Sequence, residues 1–300
     1  MAKVAKKVET GRQRRPHVVR VGARDIETRG LVDGFWTDLY HRSMTVYWPV
    51  FFGSAAAIFV FLNAVFAFFY WLGDAPIANV EGNEPLGLFY FSIETLATVG
   101  YGDMHPQTDY GHAVATVEIF TGMCFLAVMT GLIFARFSRP RARFIFARHP
   151  VVSAHQGQRT LMVRVANERH NTISQATARL WLLRLENVKE GHQLRRFHEL
   201  KLERNEHPMF ALSWTMFHAI DQASPLHGVS AHDLAMTDGA LVLNVSGVDD
   251  SSAQHLYARR IYSHGDVRWN YRYKDITSIS SEGRMLIDYS LFHDVIPEEA

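Results

Sequence analysis

Five consecutive residues, Thr98, Val99, Gly100, Tyr101 and Gly102, have the types and spacing to do chemistry with the main chain alone. Gly100 and Gly102 can take positive φ at little steric cost, while Val99 and Tyr101 stay in ordinary regions. Alternating the two kinds of residue can turn successive carbonyls to the same side. One such strand cannot surround an ion. Four copies about a symmetry axis would stack rings of oxygens able to replace the hydration shell of a potassium ion, so the site demands a tetramer. Gly-Tyr-Gly also occurs in ordinary turns, and the weight of the motif therefore rests on its flanks.

Those flanks are two apolar runs. Residues 50–72 are interrupted only by Gly53, Ser54 and Asn63 and are long enough to cross a hydrocarbon core of about 30 Å. Tyr47 and Trp48 at one end and Tyr70 and Trp71 at the other fit an aromatic belt, and Asn63 is expected to hydrogen-bond a neighbouring helix. Residues 113–135 form the second span. Between them, residues 86–97 are too short to span and too apolar for a loop, which reads as a re-entrant pore helix with its negative dipole end toward a cavity. Set between two spans, Thr98 to Gly102 resembles the signature filter of potassium channels. Glu94, one turn before it, is expected to brace the filter from behind, Asp103 to add negative potential at the mouth, and Glu118 to hydrogen-bond behind the pore helix. The second span would line the pore. A ring of Phe134, or of Leu126 or Met129, could close it by dewetting, and Gly122 serves either as a hinge or as a close-packing position.

Three hundred residues allow roughly two domains. The mean hydropathy of −0.07 averages a greasy first half and a polar second half, and a net charge of +1 gives no reason to expect a nucleic-acid partner. Cys124 is the one cysteine, which excludes an intrachain disulfide and a cysteine-based zinc cluster; in an apolar run it reads as a buried, inert thiol. Residues 1–34 form a basic N-terminal segment, its first 16 residues a tail beside an anionic leaflet. Residues 35–47 place Trp36, Leu39, Tyr40, Met44 and Tyr47 on one face, the pattern of a helix lying along the membrane surface. Arginines precede the first span and follow the second, whereas residues 73–112 carry no lysine or arginine, so both termini are expected in the cytoplasm. Arg139, Arg141 and Arg143 make residues 139–148 a basic linker. With Arg136 and Trp48 they suit anionic lipid headgroups, each base contributing on the order of 1 kcal/mol; the alternative is that the charges only fix topology.

After residue 147 the pattern changes to short strands at 160–165, 176–185, 194–202, 210–214, 240–245, 256–262 and 267–273, separated by turn residues. This argues for an antiparallel immunoglobulin-like sandwich over residues 149–300, with Ser230 and Asp233 capping one short helix through about Met236. No phosphate-cradling loop, His-Glu-x-x-His or Gly-x-Ser-x-Gly motif is present, so the enzyme case has no positive support. His198, His218, His227 and His264 are read as solvated or satisfied residues rather than sensors.

The surface helix, two spans, filter, Arg139-Pro140-Arg141-Ala142-Arg143 linker and the run from Ala219 to Leu226 (Ala-Ile-Asp-Gln-Ala-Ser-Pro-Leu) together resemble prokaryotic inward-rectifier potassium channels of the KirBac type. The resemblance covers residues 36–288. It implies a homotetramer in a bacterial inner membrane, gating through the linker and surface helix, and inhibition by phosphoinositides. Leu126 stands where strongly rectifying animal members carry an acidic residue, and their cysteine pair around the pore loop is missing. The reading is thus a pore domain at residues 35–138 with filter carbonyls of Thr98 to Gly102 holding K+ as the permeant ion, no cofactor, and anionic lipids as partners. The rivals are a potassium channel gated by another cytoplasmic ligand, for which no dinucleotide-binding fingerprint is present, and a non-conducting membrane sensor with a β-sandwich binding domain.

Overall fold

The structure is a computed structural model describing residues 17–21, 24–28, 39–81, 84–140, 142–169, 171–187, 191–279 and 281–298. The chain divides into two compact units, Val32–Arg139 and Met1–Leu31 with Pro140–Ala300. Strands β1 (His17–Val21) and β2 (Arg24–Thr28) form an antiparallel pair that the sequence pattern did not announce. The expected N-terminal tail, the start of the surface helix at residues 35–38, and Arg141 lie outside the described residues.

In the Val32–Arg139 unit, helix α1 (Leu39–Thr45) precedes α2 (Trp48–Trp71). The break between them follows from extended Tyr47 and from Pro49 in the first turn of α2, where a missing N–H costs nothing. Strand β3 (Ile77–Ala78), helix α3 (Pro85–Leu96), strand β4 (His105–Pro106) and helix α4 (Asp109–Phe137) follow. Helix α4 starts four residues before the apolar run because Thr108 caps it, its Oγ1 accepting from the Gly111 N–H at 3.0 Å, with Asp109 in the positive first turn. At 24 and 29 residues, α2 and α4 are both long and apolar enough to cross a membrane. Short α3 is wedged against them through Phe66, Tyr70, Leu88, Phe91, Leu96 and Ala115.

In the other unit, two five-stranded sheets enclose one core. The first has the order β10 (Glu206–Phe210), β8 (Ile173–Asn187), β12 (Ala240–Asp249), β13 (Gln254–Ser263), with β9 (Gln193–Leu200) also on β8. The second has β11 (Ser213–Ala219), β7 (Gln158–Asn167), β6 (Val151–His155) and β14 (Arg268–Trp269), with β5 (Phe144–Phe146) also on β7. Among the described residues, β14 on β6 is the one parallel pairing in these sheets. Alternating inward residues such as Leu161, Val163 and Val165 of β7 and Ala178, Leu180 and Leu182 of β8 close the sandwich core. Two further pairs, β15 (Tyr271–Tyr273) with β18 (Val295–Pro297) and β16 (Thr277–Ile279) with β17 (Met285–Ile287), complete the unit. Helix α5 (Ala231–Met236) carries the expected capping box of Ser230 and Asp233.

Three sequence expectations are corrected. The run 210–214 is not one strand: Phe210 ends β10, Ser213 and Trp214 begin β11, and the two-residue turn between them bonds back to β7 through Leu212 O accepting from Asn167 N at 2.9 Å. The run 267–273 is broken into β14 and β15 at Asn270, whose φ of 60° ends an extended strand. The linker 139–148 is not all connection, because Phe144–Phe146 joins the second sheet as β5, with Phe144 packed on the core.

His218 on β11 fixes the loop after that strand. Its Nδ1–H donates to the Lys201 carbonyl at 2.7 Å, its Nε2 accepts from the Ser224 hydroxyl at 2.8 Å, and Leu226 N–H donates to the same hydroxyl oxygen. This arrangement needs a neutral ring, and burial pushes the imidazole pKa below its ordinary value although the Lys201 bond opposes it. The unfolded chain then binds the proton more readily than the folded one, so stability is complete at neutral pH and is lost as pH falls below about 6.5. The thermal midpoint of the full chain, followed by tryptophan fluorescence, is expected to fall between neutral and mildly acidic pH, and less steeply in His218→Asn.

Candidate functional site

The stretch after α3 carries the motif. Positive φ recurs at every second residue, Thr98 (57°), Gly100 (57°) and Gly102 (87°), so the alternation includes one residue more than glycine content announced. For a β-branched residue such as Thr98 this region is an outlier of the kind that costs about 1–3 kcal/mol and persists only where neighbours over-determine it. The neighbours are main-chain groups. The Glu94 carbonyl accepts from both Val99 N at 2.8 Å and Gly100 N at 3.3 Å, and Thr95 O accepts from Thr98 N at 3.1 Å. Glu94 thus touches the motif through its backbone; its side chain is half-buried.

Downstream, exposed Asp103 offers its carbonyl to Asn79 Nδ2 at 2.7 Å. The β3–β4 ladder, with Gln107 N on Pro76 O and Gln107 Nε2 on Ala75 O, ties the loop before α3 to the loop after the motif. Within one chain the motif itself is uncovered, Val99 being 50% and Tyr101 78% exposed.

Behind α3, four fully buried side chains join three helices. Tyr70 OH donates to Glu118 Oε2 at 2.6 Å, Ser92 Oγ contacts Glu118 Oε1 and lies 3.0 Å from Asn63 Oδ1, and Asn63 Nδ2 donates to Phe59 O at 2.7 Å. Glu118 and Asn63 therefore meet their expected partners. Tyr70 does not sit in an interfacial belt, because its hydroxyl is needed here; its spacing of seven residues from Asn63, two helical turns, was the available signal. One turn along α4, Gly122 touches α3 again. A Cβ there would lie 2.2 Å from the Leu96 carbonyl oxygen, so Gly122 is a close-packing position, and α4 runs through it unbroken.

At the far end of α4, Arg136 is only 7% exposed. Its guanidinium donates to the Ser43 and Val46 carbonyls, the latter at 2.6 Å, and lies 4.4 Å from the Trp48 ring centroid and 4.6 Å from that of Phe51. Arg139 Nη1 donates to Met44 O at 2.9 Å. Arg136 in the last turn of α4 and Arg139 just after it thus satisfy carbonyls left unpaired at and just beyond the C-terminus of α1, where its dipole also favours positive charge. The expectation that Arg136 presents itself to lipid headgroups is corrected, because its guanidinium is occupied inside the unit, whereas Trp48 is half-buried. Arg143 keeps an exposed side chain. Phe134 (73%) and Leu126 (62%) share an exposed face of α4, while Met129 is half-buried and Cys124, expected to be buried, is exposed.

Residues 57–139 match the family model described as "Ion channel", and residues 144–299 match "Inward rectifier potassium channel C-terminal domain". The chain is 36% identical over 279 residues to the inward rectifier potassium channel Kirbac3.1 of Paramagnetospirillum magnetotacticum, across 93% of this chain and 92% of the relative. The chain belongs to the inward rectifier potassium channel family. It is also similar to human ATP-sensitive inward rectifier potassium channel 10, at 29% identity over 72% of this chain and 59% of that longer protein, and to human inward rectifier potassium channel 4, at 30% over 74% and 52%. An inward rectifier chain with two apolar helices is a membrane protein and an ion channel component, not an enzyme. For this member the contact of α4 with α3 makes a clear expectation. Gly122→Ala overpacks that contact at a cost of about 1–3 kcal/mol, lowering the thermal midpoint in detergent, whereas Gly131→Ala, whose Cβ meets nothing within 4 Å, leaves it unchanged.

Proposed function

We propose that this chain assembles as a homotetramer in the bacterial inner membrane, with both termini in the cytoplasm, and conducts potassium passively and selectively. Carbonyls of Thr98, Val99, Gly100, Tyr101 and Gly102, with the Thr98 hydroxyl, replace the hydration shell of K+. The observation that carries this reading is the alternation of left-handed residues at 98, 100 and 102 on a strand left uncovered in one chain. Non-helical backbone at membrane depth must be buried in protein or line water, and copies about an axis meet both conditions. Glu94 and Asp103 support the filter from either side.

Gating belongs to the inner end of α4. Four copies of Phe134 form the constriction, with Leu126 one ring further in. The bonds of Arg136 and Arg139 to α1 support a coupling in which the surface helix and the end of α4 move together, so a force on one is felt at the gate. Anionic lipids, phosphoinositides among them, act on Arg139, Arg141 and Arg143, and because Arg139 already holds α1, a headgroup that draws it away shifts the same equilibrium.

Rubidium uptake into liposomes loaded with potassium chloride, against a sodium-loaded control, tests the reading. Wild-type protein is expected to give potassium-dependent, barium-sensitive uptake that falls on adding a phosphoinositide. Gly100→Ala, forced into a φ of 57°, is expected to abolish selective uptake. Phe134→Ala is expected to raise uptake, and Arg136→Gln to change it while leaving the potassium-to-sodium preference intact. A tetramer that passes no rubidium even as Phe134→Ala would support the sensor instead.

A further inference from the structure

We infer that Glu118 is a neutral carboxylic acid in the working channel and acts as a positioning residue for the filter, the proton-bearing link in a one-way chain of hydrogen bonds behind α3. The inference rests on the filter reading and specifies what holds that site in place. Donor counting carries it. Tyr70 has one hydroxyl proton and gives it to Glu118 Oε2; Ser92 has one hydroxyl proton and two acceptors beside it, Glu118 Oε1 and Asn63 Oδ1. With an ionised Glu118, Ser92 serves only one of them, and a fully buried acceptor is left without a donor. With a protonated Glu118 each group donates once: Tyr70 to Glu118, Glu118 to Ser92, Ser92 to Asn63, and Asn63 to the Phe59 carbonyl.

The surroundings agree. Among the described residues Glu118 has no exposure and no basic partner, and Tyr70 is the one other ionisable group that bonds it. A bare carboxylate in that place would lack the pairing that buried charge requires.

The link reaches the filter through register. Glu118 meets Ser92 and, one turn on, Gly122 meets Leu96, so the two contacts advance by four residues on both helices. Between them on α3 sits Glu94, whose carbonyl holds Val99 and Gly100. A shift of α3 at Ser92 is thereby a shift of the filter's first anchor.

Glutamine reproduces the neutral acid, accepting from Tyr70 and donating to Ser92. In the liposome assay Glu118→Gln is expected to keep rubidium uptake and potassium-to-sodium preference within about twofold of wild type, while Glu118→Ala, which strands buried partners, loses about tenfold or more. Infrared spectra of the full-length wild type at pH 8, minus those of Glu118→Gln, are expected to show the carbonyl stretch of a protonated acid. A carboxylate band in that difference, or a glutamine variant that misassembles or loses selectivity while wild type conducts, would overturn the inference. A tetramer that passes no rubidium even as Phe134→Ala overturns the filter reading instead, and the infrared result then still decides the protonation state.

Discussion

A strand whose residues alternate between left-handed and ordinary backbone cannot bond to itself, and at membrane depth no water replaces the missing partners. The arrangement of the Val32–Arg139 unit follows from that constraint. The motif takes its first anchors from the end of α3, the Glu94 and Thr95 carbonyls, and its last from Asn79 on the loop before α3. An anchor is only as fixed as the helix that bears it. Helix α3 is twelve residues long, too short to be stable alone, so its position comes from α2 and α4 through apolar packing and the Tyr70–Glu118–Ser92–Asn63 contacts.

The same accounting explains the opposite end of α4. Helix α1 has seven residues and leaves carbonyls unpaired at its C-terminus. Arg136 and Arg139 reach them across more than ninety residues of sequence, and the Trp48 and Phe51 rings cover the Arg136 guanidinium. A planar fork that donates to two carbonyls while stacking on aromatics suits arginine and not lysine. The arginines after the second span therefore do different work: one is interior structure, one bridges, and Arg143 stays at the surface.

The length of their apolar runs made α2, α3 and α4 legible, and the change to short strands separated by turn residues made the central strands of the sandwich legible. What these signals could not show were features set by single dihedrals or distant partners. Asn270 breaks a run that reads as one strand, since nothing in an apolar-polar pattern records a φ of 60°. Residues 210–214 read as one strand because the turn at 211–212 that divides them is itself apolar, with Leu212 exposed. Thr98 shares the left-handed geometry of the glycines although its side chain argues against it. At the site, the positions of Glu118 and Asn63 were legible as polar residues too costly to face lipid. Tyr70 and Arg136 were misplaced because tyrosine near a span end and arginine after one each have a commoner interfacial use.

The two units differ in whether a single chain completes them. The sandwich closes its own core, with residues such as Val163, Leu182 and Leu243 having no exposed surface. The pore unit leaves Val99, Tyr101, Leu126 and Phe134 open. Lipid can cover leucine and phenylalanine on a helix, whose backbone is already satisfied. It cannot cover residues 98–102, where irregular main chain and glycines would meet hydrocarbon without hydrogen-bond partners. The exposure of the motif is thus of another kind from the exposure of the helices around it, and at membrane depth only protein and water together can relieve it. In the proposed homotetramer, further copies of this chain supply the first, and an ion path between them supplies the second.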